Sequence, residues 1–261
     1  MGPVITYSIK YMKQTTQTWK IDKKGALFLL PEIPTKSIDL IITDLPYGLT
    51  CSNWDSPIDL DRLWLQYKRI IKDHGAIILT AKQPFSSVLV MSNKEMFRYE
   101  WIWEKPQATG HLNANRMPMQ AHENILVFYK NLPKYNPQKT NGHKPINTYT
   151  KSVETQNRSK VYGLCKKEIS GGGETDRYPR SVQIFSSDKQ TSSLHSAQKP
   201  VALIEYLIKT YTDEGDWVHD SCLGSGTTLK ACKNTNRNCI GFEISTEWVK
   251  YYKTNTEGDK S

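Results

Sequence analysis

The chain has 261 residues, 38% of them hydrophobic, which suits one large α/β domain or a core domain with a substantial insertion. It contains no run of 18 apolar residues and no signal-peptide core, so we expect a cytoplasmic protein without a membrane span. The five cysteines form no C-x-x-C pair and the six histidines no H-E-x-x-H pattern, which predicts reduced thiols and no metal site.

The net charge of +9 is concentrated in one segment. Residues 130–198 contain 12 Lys and Arg against 5 Asp and Glu, which gives +7 and leaves +2 for the rest of the chain. A basic excess confined to one segment is what a surface that contacts phosphates requires. A solubilising surface loop is the alternative.

Before residue 130, apolar spacing and Gly or Pro punctuation predict strands that alternate with helices. The predicted strands are 17–24, 38–43, 76–80, 99–103 and 125–129. The predicted helices are 25–30, a one-sided helix from Asp59 that ends near Gly75, and 84–91.

The middle of the chain is irregular. A polar loop is expected at 105–121, and a longer region at 131–196 is rich in Ser, Thr, Asn, Lys and Gly. Because long loops inside compact domains are usually functional, we interpret 131–196 as a basic inserted target-recognition segment. The predicted catalytic domain is then 1–130 together with 197–261.

Regular spacing resumes at Pro200. A helix is predicted to Tyr211, followed by a strand at 217–219, a helix to Lys233, a strand at 239–242 and a last helix capped by Ser245. Strands and helices that alternate on both sides of 131–196 predict an α/β fold with one doubly wound, mostly parallel, Rossmann-like sheet.

A glycine loop, residues 220–228, joins a predicted strand to a predicted helix. Glycines there let a ligand approach the backbone, and Glu243 at the end of the next strand can accept ribose hydroxyls. Leu229 stands where the dinucleotide fingerprint has a third small residue, which favours a cofactor with one ribose, such as S-adenosylmethionine. A tight turn without a ligand is the alternative.

The segment Asp44-Leu45-Pro46-Tyr47 follows the predicted strand 38–43. A carboxylate and a backbone carbonyl can accept the two N–H groups of a flat amine while an aromatic ring stacks on its face. An ordinary turn is the alternative. The carboxyl ends of strands in a doubly wound sheet line one crevice, so this segment and the glycine loop are expected to face each other there.

These motifs resemble the DNA amino-methyltransferases that modify adenine N6 or cytosine N4. The resemblance rests on Asp44-Leu45-Pro46-Tyr47, on Gln198-Lys199-Pro200 and on the glycine loop, over residues 20–252. The catalytic motif precedes the cofactor motif, the order of that family's β group, and the similarity is greatest to phage and prophage adenine methylases. Three further stretches fit: 101–105, 121–124 and 177–181.

The resemblance implies the circularly permuted fold of S-adenosylmethionine-dependent methyltransferases and a role in DNA methylation and restriction–modification, in a bacterial or phage-infected cell. DNA is the implied partner, a homodimer is left open, and neither metal nor membrane is expected. The implied catalytic residues are Asp44, Leu45, Pro46 and Tyr47. The implied cofactor-binding residues are Lys199, Asp220, Leu223, Gly224, Ser225, Gly226, Thr227 and Glu243. Arg177 and Arg180 are the implied DNA contacts.

Adenine is favoured because the cytosine enzymes usually have serine where Asp44 stands. Leu45 replaces the commoner proline, Cys222 a phenylalanine, and Lys24-Gly25 the usual Gly-Asp pair, which removes a carboxylate from the expected cofactor side. Three alternatives are an N4-cytosine methyltransferase, a catalytically degenerate DNA-binding relative and, more distantly, a nucleotide-dependent oxidoreductase.

Overall fold

The structure, a computed structural model, describes residues 5–10, 16–21, 25–47, 58–152, 168–186, 198–245 and 248. Its strands are β1 (Ile5–Lys10), β2 (Thr16–Ile21), β3 (Ile38–Asp44), β4 (Ile71–Ala81), β5 (Phe97–Thr109), β6 (Gln120–Phe128), β7 (Tyr149–Ser152), β8 (Glu168–Gly171), β9 (Val182–Ile184), β10 (Trp217–Asp220) and β11 (Asn238–Glu243). Its helices are α1 (Ala26–Leu29), α2 (Leu60–Ile70), α3 (Phe85–Ser92), α4 (Val201–Tyr211) and α5 (Thr227–Asn234), with 3₁₀ turns at Leu30–Glu32 and His111–Asn113.

Nine of the described strands form one sheet in the order β1-β2-β11-β10-β3-β4-β6-β5-β9. Strands β2, β11, β10, β3 and β4 run parallel to one another, and β9 is parallel to β5. Strand β6 is antiparallel to both β4 and β5, and β1 is antiparallel to β2. The predicted doubly wound, mostly parallel sheet is confirmed.

Strand order reverses between β10 and β3, which are neighbours in the centre of the sheet. From β3 the chain passes through α2 to β4 on one side, and from β10 it passes through α5 to β11 on the other. Ligands of doubly wound sheets bind at such a reversal, beyond the carboxyl ends of the strands. The segment after β3 and the glycine loop after β10 therefore lie at the same crevice.

Both faces of the central sheet are covered, which explains why its strands have nearly continuous apolar sequences. In β4, Ala76 and Ile78 belong to one core cluster, and Ile77 and Leu79 belong to the other. Helices α4 and α5 cover the first face, while α1, α2 and α3 cover the second. Alternate residues of one strand thus serve two cores, and the strand ends are held rigidly between them.

Element boundaries differ most from the prediction around Gly75 and at the loop expected at 105–121. The helix ends at Ile70, and Gly75 lies inside β4, where an added Cβ would lie 2.8 Å from the main-chain oxygen of Asp39. Close packing of β4 against β3, rather than a helix end, explains this glycine. The loop expected at 105–121 is also shorter, because β5 extends to Thr109 and β6 begins at Gln120.

The region expected to be an insertion contains a second compact unit, Pro137–Arg180. Within it, β7 and β8 form an antiparallel pair, and Thr140 bridges to Arg177. Strand β9 follows this unit and pairs with β5 at the edge of the main sheet. The prediction for 131–196 therefore includes residues that pair within the main sheet.

Some predictions fall on residues that the structure does not describe. The last helix after Ser245 lies outside the described residues, as does Lys24. Within the described ranges, no helix combines the length and the apolar character that crossing a bilayer requires.

Candidate active site

Asp44 ends β3, and its carboxylate is the focus of the segment 44–47. Its Oδ1 accepts hydrogen bonds from the hydroxyls of Tyr47 and Thr80, both at 2.6 Å. The Asp44 side chain remains 30% exposed, whereas Leu45 is buried in the core behind it. The fold thus fixes one carboxylate oxygen and leaves the group accessible from the crevice.

Tyr47 is oriented by the same carboxylate. Its ring lies 5.3 Å from the ring of Phe85, centroid to centroid, with an interplanar angle of 38°. Burial, together with the negative charge of Asp44, raises the pKa of the Tyr47 hydroxyl well above its ordinary value. Tyr47 is therefore a neutral hydrogen-bond donor, and its ring direction is set from two sides.

Lys199 reaches Asp44 from the segment that precedes α4. Its Nζ donates a short hydrogen bond to Asp44 Oδ2 and lies 3.3 Å from Glu123 Oε2. Burial alone would lower the pKa of Lys199, but attraction to Asp44 and Glu123 outweighs it and raises the pKa. Lys199 was predicted to bind the cofactor. In the structure it is protonated and forms an ion pair with Asp44 of the predicted catalytic segment.

Glu123, on β6, is the group that the sequence analysis assigned no role. Its Oε1 lies 2.5 Å from Lys105 Nζ and 3.2 Å from Lys82 Nζ. Burial would raise the pKa of Glu123, but Lys199, Lys105 and Lys82 together lower it to about 2. A glutamate within the apolar run of β6 was the available signal, because a buried carboxylate needs partners.

At the end of β10, Asp220 holds the glycine loop. Its Oδ1 accepts from the Thr43 hydroxyl at 2.8 Å and from the Cys222 amide at 2.9 Å, and its Oδ2 accepts from the Thr228 hydroxyl at 2.6 Å. Asp220 is 4% exposed, and burial raises its pKa despite these three bonds. Asp220 therefore joins β3, the loop and α5. Its contact with a cofactor stays a prediction.

The loop backbone explains its glycines. Gly224 has a φ of 50° and Gly226 a φ of 81°, left-handed values that disfavour residues with a Cβ, and Gly226 caps α5. Leu223 points into the core, where it leaves no room for a side chain at Gly241. The Ser225 and Thr227 hydroxyls lie 3.1 Å apart at the start of α5.

Glu243 lies at the end of β11, beside the glycine loop. Its Oε2 accepts from the Gly224 amide at 2.8 Å, and its Oε1 accepts from the amides of Ile244 and Ser245, both at 2.9 Å. A carboxylate has about four acceptor positions. The described residues fill three of them and leave one on this carboxylate, and contact of Glu243 with ribose hydroxyls stays a prediction.

A buried series of hydrogen bonds, which the sequence did not predict, supports the glycine loop from the interior of the protein. Tyr67 of α2 donates to the Ser221 hydroxyl at 2.8 Å, and His219 Nε2 lies 2.9 Å from the same oxygen. His219 Nδ1 lies 2.9 Å from the carbonyl oxygen of Ile240. Burial lowers the pKa of His219 to about 4, so the ring is neutral near pH 7. The series is a structural support that joins α2, β10 and β11.

One hydrogen bond joins the two predicted motifs. Thr43, the residue before Asp44, donates to Asp220, the last residue of β10. The Thr227 hydroxyl also reaches the Lys199 carbonyl at 3.4 Å, which brings the third motif to the same place. The structure therefore brings together the predicted catalytic and cofactor-binding residues at the reversal point of the sheet.

Two departures from the family pattern have structural explanations. Gly25 has a φ of 80° and begins α1, so its backbone favours glycine. Cys222 packs against the core cluster on the α2 face, and burial raises the pKa of its thiol well above the usual value. Neither residue offers a carboxylate or an aromatic ring to the crevice.

The two predicted DNA contacts lie in the second unit. The guanidinium of Arg177 donates to the main-chain oxygens of Glu174, Asp176 and Lys144, and Arg180 is exposed. Arg177 therefore stabilises the unit's own backbone with part of its five N–H donors. Contact of either residue with DNA stays a prediction.

Comparison with known proteins identifies the family. Residues 38–254, most of the chain, match the DNA methylase family (N6_N4_Mtase). The chain belongs to this family. The resemblance drawn from its motifs is confirmed, and the match covers β3, the glycine loop and the second unit between them.

Relatives of this DNA methylase chain cover most of its length. It is 28% identical to the type II methyltransferase M.HpaI of Haemophilus parainfluenzae, over 90% of this chain and 73% of the relative. It is 27% identical to the DNA adenine methyltransferase YhdJ of Escherichia coli K12, over 86% of this chain and 78% of the relative.

Two solved structures share the fold of the chain. The M1.HpyAVI–SAM complex matches with a TM-score of 0.60 and 22% identity, over 89% of this chain and 96% of that one. The cytosine-N4-specific PvuII DNA methyltransferase matches with a TM-score of 0.58 and 18% identity, over 89% and 83%. For the described residues, no group of three or more His, Cys, Asp or Glu side chains could hold a metal.

Proposed function

We propose that this DNA methylase transfers a methyl group from S-adenosylmethionine to the N6 amine of adenine in DNA. The carrying observation is the hydrogen bond between Thr43 and Asp220, which brings the accessible carboxylate of Asp44 beside the glycine loop. A site for a flat amine and a site for a nucleoside then share one crevice. That M1.HpyAVI forms a complex with SAM supports the choice of cofactor.

The residues of the crevice fit this cofactor. Glu243 keeps one acceptor position for a ribose hydroxyl, and the left-handed glycines at 224 and 226 permit close approach to the loop. Asp220, in contrast, keeps the loop in shape from inside the protein. When bound, S-adenosylmethionine supplies an electrophilic methyl on a sulfonium, whose sulfur takes the electron pair of the broken S–C bond as the N–C bond forms.

The residues of the β3 end position and activate the amine. Asp44 accepts a hydrogen bond from one N–H of the amine and the Leu45 carbonyl accepts one from the other, which favours a pyramidal nitrogen with its lone pair directed at the methyl. Pro46 fixes the backbone direction, and Tyr47 contacts the base with its oriented ring. The nitrogen then releases one proton to the Asp44 carboxylate and so to solvent. Positioning and electrostatics supply most of the acceleration.

DNA enters this proposal through charge and geometry. A paired base cannot reach a crevice of this kind, so the nucleotide has to leave the stack at a cost of a few kcal/mol. Phosphate contacts from the basic region 130–198, with Arg177 and Arg180 among them, would offset part of that cost. Such contacts make binding strongly dependent on salt.

Adenine is proposed over cytosine because of the residue at position 44. The family's cytosine-N4 enzymes usually have serine there, and this chain has an accessible carboxylate. The relative YhdJ, named a DNA adenine methyltransferase, supports the same choice.

The test uses the purified chain, S-adenosylmethionine with a labelled methyl group, and unmethylated plasmid DNA. After digestion to nucleosides, mass spectrometry should find the label in N6-methyldeoxyadenosine. Label in N4-methyldeoxycytidine would replace the adenine assignment, and absence of label from DNA would overturn the proposed function. Calorimetry with S-adenosylmethionine then separates a degenerate DNA-binding relative, which binds no cofactor, from an enzyme that needs another substrate.

A further inference from the structure

Both oxygens of the Asp44 carboxylate accept hydrogen bonds from protein donors, although Asp44 is the group that should receive the amine. Its Oδ1 is held by Tyr47 and Thr80, and its Oδ2 by the Lys199 ammonium. Tyr47 and Thr80 lie on the elements that shape the crevice, so Oδ1 is the fixed oxygen. Oδ2 is therefore the oxygen at which a substrate amine and Lys199 meet.

A cation on that oxygen opposes the chemistry. As the methyl is transferred, positive charge develops on the amine nitrogen, and a neighbouring ammonium in a half-buried site raises the energy of that charge. Lys199 stabilises the resting carboxylate but should hinder the reacting one.

Glu123 offers Lys199 a second position. Its Oε2 is buried, accepts no hydrogen bond from any described residue, and lies 3.3 Å from the Lys199 ammonium. Its other oxygen, Oε1, is already paired with Lys105 and Lys82. The Lys199 ammonium lies within ion-pair distance of this oxygen but does not complete a hydrogen bond to it, so a small shift of Lys199 from Asp44 toward Glu123 would complete that bond.

We infer that Glu123 is a positioning residue that withdraws Lys199 from Asp44 Oδ2 when the target amine enters. Lys199 neutralises Asp44 in the resting enzyme, and Glu123 receives the ammonium during the reaction. The exchange requires no change of charge within the cluster, because the lysine passes between two carboxylates. This inference rests on the proposed function, since it assigns Asp44 to an amine substrate.

A double-mutant cycle tests the exchange. Glu123→Gln should lower kcat at least about tenfold and change the KM for S-adenosylmethionine little, because Lys199 then remains on Asp44. In a Lys199→Met background there is no ammonium to withdraw, so Glu123→Gln should change kcat by less than about twofold. The substrate is unmethylated plasmid DNA that the wild-type chain has been shown to methylate, and melting curves establish that each variant is folded.

Lys105→Met is the matched control. Lys105 contacts Glu123 as Lys199 does, yet it has no recorded contact with Asp44. The kcat loss from Glu123→Gln should therefore persist in the Lys105→Met background. If Glu123→Gln does not fold, Glu123→Asp serves in its place, because the shorter carboxylate weakens the contact while keeping the charge.

Each outcome decides the inference. A kcat loss that disappears only in the Lys199→Met background supports the exchange. An equal loss in all three backgrounds, or a loss confined to melting temperature, overturns it while leaving the proposed function intact. A wild-type chain that methylates no DNA overturns the proposed function and this inference together.

Discussion

Two aspartates end neighbouring parallel strands, and their surroundings separate their roles. Asp44 ends β3, and its side chain is 30% exposed. Its ion-pair partner is Lys199, whose long side chain can adopt several rotamers. Asp220 ends β10, is 4% exposed, and is bound by two threonine hydroxyls and a backbone amide. An accessible carboxylate with an exchangeable partner can act on a substrate, whereas a buried one with fixed partners maintains a loop. The same residue type at equivalent places thus maintains the loop at the end of β10, whereas at the end of β3 we propose that it acts on the substrate.

The largest expected effect is at the accessible aspartate. Asp44→Ala should lower the rate of methyl transfer at least about 10³-fold, or roughly 4 kcal/mol of transition-state stabilisation. Binding of S-adenosylmethionine should change little, and the melting temperature should fall by less than that of Asp220→Ala, because the Asp44 side chain is 30% exposed. Initial rates with labelled methyl donor, calorimetry and melting curves check the three parts. Near-normal turnover would remove Asp44 from the chemistry.

The same substitution at the buried aspartate should show the reverse pattern. Asp220→Ala leaves the hydroxyls of Thr43 and Thr228 and the amide of Cys222 without their acceptor, which costs about 3 kcal/mol of folding free energy. Cofactor binding should weaken with it, because the loop loses its fastening. Urea denaturation measures the free energy of unfolding, and an unchanged midpoint would contradict the contrast between the two aspartates.

The contribution of Glu123, which lies near Asp44, to the free energy of unfolding should depend on pH. Its folded-state pKa of about 2 lies below the ordinary value of 4.5, so its contribution to stability is complete above 4.5 and is lost as the pH falls toward 2. The free-energy difference of unfolding between wild type and Glu123→Gln should therefore be larger at pH 7 than at about pH 3.5.

Urea midpoints at the two pH values measure that difference. Glu104→Gln, at an exposed glutamate on β5, is the control and should give a small difference at both. If the wild-type and Glu123→Gln chains differ equally at both pH values, Glu123 is not a buried partner of the lysines.

The smallest effect is expected at the glycine loop. Gly226→Ala places a Cβ at a φ of 81° and should cost about 1–2 kcal/mol of stability. Cofactor affinity should fall in parallel, since the residue caps α5 beside the cofactor side of the crevice. Ala231→Gly, within α5, is a control that weakens the helix without altering the loop. Equal losses of cofactor affinity in the two variants would show that helix stability, not loop shape, sets binding.

Most of the fold was predictable because its signals are local. Apolar spacing located β3, α2 and α4, and the family expected from the motifs is confirmed. Boundaries were missed where tertiary contacts decide them. Gly75 resembles a helix end in sequence, but it lies in β4 because the backbone of Asp39 approaches it closely.

The site was predictable in outline and not in its connections. The motifs at Asp44 and Gly224 predicted which residues lie on the two sides of the crevice. No sequence spacing, however, shows that Lys199 contacts Asp44. Glu123 and its lysines come from different strands and loops, so their contact exists only in the folded chain. The hydrogen-bond partners of Asp220 and Glu243 could not be predicted either. Several of them are backbone amides, and no sequence pattern shows which amide donates to which carboxylate.

We propose that the accessible carboxylate of Asp44, at the end of β3, is required for the transfer of a methyl group to adenine in DNA. The most direct measurement is single-molecule sequencing of DNA from a methylation-deficient bacterial host that expresses either the wild-type chain or Asp44→Ala. We predict N6-methyladenine at one recurrent sequence in the wild-type culture and none above background in the Asp44→Ala culture. Unmodified DNA in both cultures, with folded wild-type protein present, or equal methylation in both, would contradict it.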